Sequence, residues 1–267
     1  MTNRPKKTAE ALAHEMRLTA LAMAYKCGEP CHIGGGLSII DILATLYKNV
    51  MVNPGTKDRF ILSKGHGVLG LYSALFHMGY LTQSQIDTFQ TNGSKLIAHP
   101  IMDLDAGIES SNGSLGQGLS MGVGIAIAYK RLRKSGNVYI LMGDGECYEG
   151  SVWEAAISAT EHKLSNLTII IDSNGFQNDG EISDCMNAKN LSKKWRGFGW
   201  DTSICNGHNI DDLTRQVNIK CRHTPRAIVA KTKKGFGVPF MEDNNDWHHN
   251  RLSQKLYEQA IKECGQK

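Results

Sequence analysis

Three consecutive segments in the middle of the chain restrict the fold more than any other feature. Residues 138–142 and 167–171 are short, almost wholly apolar runs, and residues 150–163 between them have the apolar spacing of an amphipathic helix. Two buried strands joined by a helix form a βαβ crossover, whose strands run parallel. The sequence therefore predicts a parallel sheet that is covered by helices.

The other regular segments repeat this alternation. Further strands are predicted at residues 59–63, 200–204 and 227–230, and further helices at residues 6–27, 68–78, 118–129, 211–220 and 252–264. Ser38 is expected to cap a helix that continues to Val50, and Gly34, Gly35 and Gly36 before it are expected to form a loop. The pattern predicts an α/β fold, doubly wound, with a mostly parallel sheet and helices on both faces.

Size, charge and cysteine content restrict the class of protein. The 267 residues suffice for one large domain, and no linker-like stretch divides them. A net charge of +4 without a long basic run argues against nucleic acid as a partner. No apolar signal segment or membrane-length run is present, and the seven cysteines are scattered, so we expect a cytoplasmic protein with reduced thiols and no membrane contact. Cys27, Cys31 and His32 lack the second Cys/His pair of a zinc finger.

Two oxygen-bearing side chains follow the two strands of the crossover. Asp144 lies in a Gly-Asp-Gly sequence directly after the first strand, and Asn174 lies in a Ser-Asn-Gly sequence after the second. Neighbouring parallel strands bring their carboxyl ends to one edge of the sheet, where ligands bind. Carboxylate, amide and main-chain oxygens are the ligands that Mg²⁺ prefers. The sequence therefore predicts a divalent metal site at this edge, although either turn alone is an ordinary one.

The spacing of these two loops also matches a known signature. Thiamine diphosphate enzymes carry a motif that begins with Gly-Asp-Gly and ends at an asparagine roughly 30 residues later. From about Ala9 to Arg251, the chain resembles the N-terminal section of transketolase. The resemblance implies thiamine diphosphate as the cofactor. It also implies that Asp144, Asn174 and the main-chain oxygen of Phe176 hold Mg²⁺, or another divalent cation such as Ca²⁺ or Mn²⁺.

The resemblance assigns further residues to the cofactor and the substrate. The residues expected to contact the cofactor are Gly113, Ser114, Leu115, Gly116 at the start of a helix, Gly145, His66, Lys234 and His248. The same pattern places Lys64 near the substrate and His32, His99 and His248 around the donor ketose. An imidazole can donate or accept a proton near neutral pH, which suits ketose hydroxyls. The histidines without a match in the family pattern are His14, His77, His162, His208, His223 and His249.

Two acids and a missing domain point to a partner chain. In transketolases, acids at the positions of Glu149 and Glu154 lie in the interface between the two cofactor sites, so a hydrogen-bonded network of buried acids is expected here; an exposed helix face is the alternative. The family also needs a pyrimidine-binding domain with a glutamate, which this sequence does not supply. The resemblance therefore implies a separate C-terminal subunit in an α₂β₂ assembly, together with sugar phosphate substrates.

The sequence departs from the family pattern beside the donor pocket, and alternatives follow from this. Residues 28–31 differ from the common form, Asn112 replaces a frequent threonine, and Asn178 lies where an apolar residue is usual. The identity of the donor ketose is therefore open, and an unusual sugar phosphate or a sulfonated analogue is an alternative to an ordinary one. The alternatives are a deoxyxylulose phosphate synthase-like enzyme, a 2-oxo acid dehydrogenase component, or a non-catalytic cofactor-binding homologue. A nucleotide-binding Rossmann protein lacks support because the Gly-x-Gly-x-x-Gly motif is absent.

Overall fold

A five-stranded parallel sheet forms the centre of the protein. The computed structural model describes residues 7–182 and 190–264. The strands of the sheet are β1 Arg59–Leu62, β2 Val138–Gly143, β3 Leu167–Ser173, β6 Asp201–Asn206 and β7 Arg226–Lys231. They follow the order β1-β2-β3-β7-β6, and all pairs are parallel. A small antiparallel hairpin, β4 Phe176–Gln177 and β5 Gly180–Glu181, follows β3.

Helices cover both faces of this sheet. Their bounds are α1 Ala9–Lys26, α2 Ile33–Leu37, α3 Ile40–Thr45, α4 Val68–His77, α5 Gln83–Ile86, α6 Gln117–Arg131, α7 Gly150–Glu161, α8 Leu191–Gly197, α9 Ile210–Val217 and α10 Gln254–Cys264. Alternate residues of β2 enter different cores: Ile140 packs with α6, α7 and α8, whereas Leu141 packs with α1, α3 and α4. A strand buried on both faces has to be apolar throughout, which explains the continuous apolar run. The doubly wound α/β fold is thus confirmed.

The triglycine segment differs from its prediction. Gly34, Gly35 and Gly36 lie inside the short helix α2 and are buried, not in a loop. A Cβ atom on Gly36 would lie 3.0 Å from the Leu69 Cβ atom, and one on Gly34 would lie 2.9 Å from the main-chain oxygen of Trp247. The glycines therefore serve close helix packing, which outweighs their low helix propensity.

Ser38 also differs from its prediction. It caps no helix with its side chain but ends α2, and its hydroxyl donates to the Asp172 carboxylate at 2.7 Å.

Three expectations about the whole chain can be compared with the structure. Within residues 7–182 and 190–264, no helix combines the length and apolar character that a membrane crossing needs. Over the same ranges, no group of three or more His, Cys, Asp or Glu side chains is arranged to hold a metal ion. The thiols of Cys27, Cys31, Cys147, Cys205 and Cys221 form no disulfide within the described ranges, and Cys185 lies outside them.

Candidate active site

The parallel pairing of β2 and β3 brings the two predicted metal loops together. Gly143 at the end of β2 is in register with Asp172 of β3, so Asp144 and Asn174 follow at the same edge. The Asp144 carboxylate accepts the Gly145 amide and the Gly175 amide, each at 2.9 Å. The Asn174 side-chain oxygen accepts the Phe176 amide at 3.0 Å. Burial, followed by the neighbouring Asp172 charge, raises the pKa of Asp144 to about 7. A divalent cation would offset this repulsion.

A buried carboxylate behind these loops connects them to the rest of the site. Asp172 is fully buried and accepts Lys64 Nζ at 2.5 Å, Ser38 Oγ at 2.7 Å and Asn174 Nδ2 at 2.9 Å. It also accepts the Thr232 hydroxyl. The bond from Asn174 Nδ2 to Asp172 fixes the orientation of the side-chain amide, so its Oδ1 atom points away from Asp172. Asp172 therefore orients a predicted metal ligand and ties it to the ends of β1, β7 and α2.

The glycine-rich loop before α6 offers the room that a diphosphate needs. Gly113 and Ser114 are exposed, Leu115 is half-buried, and Gly116 has a φ of +81°, which favours glycine. A Cβ atom on Gly116 would lie 2.6 Å from Ser151 Oγ. The Gly116 amide itself donates to the Glu146 carboxylate at 2.9 Å, so it is already engaged within the chain. Anionic oxygens would instead meet the exposed loop formed by residues 113–115.

The four predicted histidines form a cluster around His32. The His32 ring centroid lies 5.4 Å from that of His66, 5.7 Å from that of His99 and 5.4 Å from that of His248. His249, which matches no family position, lies nearer still, at 4.6 Å. His32 Nδ1 is buried and has no hydrogen-bond partner within residues 7–182 and 190–264. A buried polar atom of this kind needs a partner, which a bound ligand can supply.

His32, His66, His99 and His248 all have lowered pKa values, which favour the neutral ring. Burial, and then the electrostatic repulsion that a charged His32 would meet from His249, His248, His99 and Lys64, lowers the pKa of His32 to about 3. Burial and then Lys234 lower the pKa of His248 to about 4. Burial is also the main cause that lowers the pKa of His66 and of His99. The cluster can therefore accept protons or hydrogen bonds at neutral pH.

The neutral state of His32 predicts a pH-dependent stability. Between a folded pKa of about 3 and the ordinary value of 6.5, the unfolded chain binds more protons, so stability falls as the pH falls below about 6.5. His32→Gln should make the free energy of unfolding less dependent on pH. The slope of this free energy against pH should fall by the equivalent of up to about one bound proton. Urea unfolding of both proteins between pH 5 and pH 7.5 measures it, with the exposed His223→Gln as the control. Equal slopes for the wild type and His32→Gln would contradict the prediction.

The two predicted lysines have different positions. Lys234 is buried, and its ammonium contacts Asn245 Oδ1 and His248 Nδ1, each at 2.7 Å. Because an ammonium only donates, Nδ1 of His248 accepts and Nε2 is left as its donor. Burial and then Lys64 lower the pKa of Lys234 to about 8. Lys64 is 1% exposed and is paired with Asp172 and with the Gly35 main-chain oxygen, so the single chain does not support direct substrate contact by it.

The two acids predicted for the interface are exposed in the single chain. Glu149 directly precedes α7. It lies close to the main chain of Gly116, since a Cβ atom added to Gly116 would lie 2.7 Å from the Cβ atom of Glu149. Glu154 lies one and a half turns further along α7 and is also exposed. The buried network between subunits stays a prediction.

Sequence reasoning missed Asp172, Glu146 and His249. An aspartate inside an otherwise apolar strand was a usable signal for Asp172, because an unpaired buried charge is too costly to occur by chance. The burial of Glu146 depends on the loop before α6, which the sequence places far away. His249 follows His248 directly, and only the path of the main chain decides that both rings reach His32.

The fold and these loops are those of an α/β enzyme domain that binds a phosphorylated cofactor beyond the carboxyl ends of its strands. Residues 8–267 match the family described as transketolase, thiamine diphosphate binding domain. The chain belongs to this family, and the resemblance found in the sequence is confirmed.

Individual relatives agree with this assignment. The chain is 37% identical over 269 residues to an apulose-4-phosphate transketolase subunit of Phocaeicola vulgatus, covering 98% of this chain and 95% of the relative. It is 38% identical over 240 residues to a 6-deoxy-6-sulfo-D-fructose transketolase subunit of a Clostridium species, covering 87% of each. The structure matches transketolase from Leishmania mexicana with a TM-score of 0.88 at 26% identity. That match covers 98% of this chain and 42% of the other.

Proposed function

We propose that this chain is the diphosphate-binding subunit of a transketolase, an enzyme that transfers a two-carbon ketol unit from a ketose phosphate or a related ketose to an aldose acceptor. The observation that carries the proposal is the meeting of the Asp144 and Asn174 loops with four histidines at one edge of the sheet. The names of the relatives support the same reaction.

The donor set fits a hard divalent cation such as Mg²⁺. The Asp144 carboxylate, the Asn174 amide oxygen and the Phe176 main-chain oxygen are all oxygen ligands, and backbone amides hold the first two in place. Ca²⁺ or Mn²⁺ would suit the same oxygens. Thiamine diphosphate, when bound, supplies the electron sink for breaking the bond between two carbons of the ketose. Gly113, Ser114, the half-buried Leu115 and Gly145 would contact its diphosphate.

The neutral histidines would handle the protons and hydroxyls of the ketose. His248, whose Nδ1 accepts from Lys234, has Nε2 as its donor. His32 Nδ1 is open to a ligand hydroxyl, and His66 and His99 lie beside it. Groups that can accept and donate near neutral pH suit general acid–base work on the sugar. We assign His32, His66, His99 and His248 to these roles.

A second chain would complete the site. The relative that this chain covers almost completely is named as one subunit of its transketolase, which supports a separate partner. We propose that residues 1–267 form a single domain, and that a C-terminal subunit supplies the pyrimidine-binding domain with its glutamate in a cytoplasmic α₂β₂ heterotetramer. Glu149 and Glu154, exposed here, would lie in the interface between cofactor sites.

The donor is proposed to be an unusual ketose. Two relatives are named for apulose 4-phosphate and for 6-deoxy-6-sulfo-D-fructose, and both sugars differ from ordinary pentose phosphates. In this chain, His249 adds a fifth ring to the cluster, and Asn112 Nδ2 is buried without a partner in the described ranges. These groups would offer a donor polar contacts beyond those that the family pattern assigns.

Activity of the reconstituted two-chain complex tests the proposal. The complex would be incubated with Mg²⁺, thiamine diphosphate, an aldose acceptor and one of several donors: ordinary ketose phosphates, a branched ketose phosphate, or a sulfonated ketose. We expect donor cleavage with formation of a ketose two carbons longer than the acceptor. Pyruvate consumption without ketose cleavage would favour a synthase or dehydrogenase component instead, and cofactor binding without turnover would favour a non-catalytic homologue.

A further inference from the structure

Glu146 is a buried acid that none of the roles described so far uses. It is 2% exposed and lies in the short 3₁₀ turn Gly145–Tyr148 that follows the Asp144 loop. Its Oε1 atom accepts the Gly116 amide at 2.9 Å and the Ser63 hydroxyl, and its Oε2 atom accepts the Gly143 amide at 3.0 Å. Hydrogen bonds to a carboxylate are stronger than those between neutral groups. One side chain thus holds the ends of three separate segments.

Each of these segments leads into a part of the proposed cofactor site. Gly143 directly precedes Asp144, Ser63 at the end of β1 precedes the turn with His66, and Gly116 ends the exposed loop of residues 113–115. Packing leaves little freedom between them, since a Cβ atom on Gly118 would lie 2.4 Å from Ser63 Oγ. The distance between the diphosphate loop and the metal loop therefore depends on the bonds that Glu146 accepts.

We infer that Glu146 is a positioning residue for the cofactor, which sets the loop of residues 113–116 relative to the Asp144 loop. This inference rests on the proposed binding of thiamine diphosphate. Glutamate suits the position because all three partners are donors and a carboxylate accepts on both oxygens. A glutamine would turn its NH₂ group toward at least one N–H or O–H donor. At least one bond is therefore lost in either orientation of the amide.

A graded set of variants of the full chain in complex with its partner tests the inference. Ser63→Ala removes one donor, Glu146→Gln disturbs the acceptor, and Glu146→Ala removes it; the exposed Glu161→Gln is the matched control. We expect Glu146→Gln to weaken thiamine diphosphate binding at saturating Mg²⁺ by at least about 10-fold, measured by calorimetry. Ser63→Ala should have a smaller effect, Glu146→Ala a larger one, and Glu161→Gln none.

Two further readouts separate positioning from a general structural role. Hydrogen exchange at the Gly116 and Gly143 amides should rise in Glu146→Gln without cofactor, while exchange in α10 stays as in the wild type. In turnover, the KM for thiamine diphosphate should rise while kcat at saturating cofactor stays within about twofold. Unchanged affinity and unchanged exchange, or a lowered kcat at unchanged affinity, would overturn the inference. Affinity and exchange do not depend on ketol transfer, so a failure of the proposed reaction cannot produce either result.

Discussion

Asp144→Asn is expected to lower thiamine diphosphate affinity and ketol transfer by at least about 100-fold, the upper end of the effect for residues that only support a metal ligand. The carboxylate is the one anionic oxygen donor among the three proposed metal ligands. An amide at this position keeps its shape but removes the charge that a divalent cation needs. The substituted side chain could still accept from the Gly145 or Gly175 amide, so the fold should be retained.

Calorimetric titration of the reconstituted complex with thiamine diphosphate at fixed Mg²⁺ measures this effect, with circular dichroism as the check on folding. Asp105→Asn, which changes an exposed aspartate in a surface turn, is the matched control and should bind as the wild type does. Wild-type affinity and activity in a folded Asp144→Asn complex would leave the metal assignment without support. The same result would remove the basis for assigning Asn174 and Phe176 to the ion.

Much of the fold could be predicted from the sequence because strands buried on both faces leave short, continuous apolar runs, whose length and flanking glycines favour a strand over a buried helix. Residues 138–142 and 167–171 were predicted as strands, and β2 and β3 each extend only one or two residues beyond them. The triglycine segment shows the limit of this reasoning. Its helix forms because Leu69 and Trp247, both remote in sequence, pack against backbone that has no Cβ atoms. Local propensity cannot reveal a contact of that kind.

The site was predictable to the extent that topology alone brings residues together. Parallel strand ends place Asp144 near Asn174, whatever the loops around them do. The histidines are different, because the sequence separates His32 from His248 by most of the chain. Only their match to a family pattern predicted that they would meet. Lys64 shows what a motif does not reveal. The family pattern predicted it near the substrate, but its ammonium is bonded to Asp172, a buried acid that no motif identified.

The buried pair of Lys64 and Asp172 gives the second prediction with a large effect. Although burial alone raises it, the Lys64 ammonium holds the pKa of Asp172 below its ordinary value. Asp172→Asn would leave that ammonium buried without a counter-charge. Breaking such a pair costs about 3–5 kcal/mol in the free energy of unfolding. Urea denaturation at pH 7.5 measures the loss, and Asp87→Asn, which breaks the exposed pair with Lys26, should hardly shift the midpoint.

The double variant Lys64→Met/Asp172→Asn separates the two roles of this carboxylate. Because it removes both charges and a methionine fills similar space, it should be more stable than Asp172→Asn by about 2 kcal/mol or more. Thiamine diphosphate affinity should be low in both variants, since the single amide oxygen can accept from Ser38 and Asn174 or from Thr232, but not from all three as the carboxylate does. If the double variant were no more stable than Asp172→Asn, charge pairing would not be the source of the loss. If cofactor affinity returned together with stability, Asp172 would support the fold without orienting Asn174.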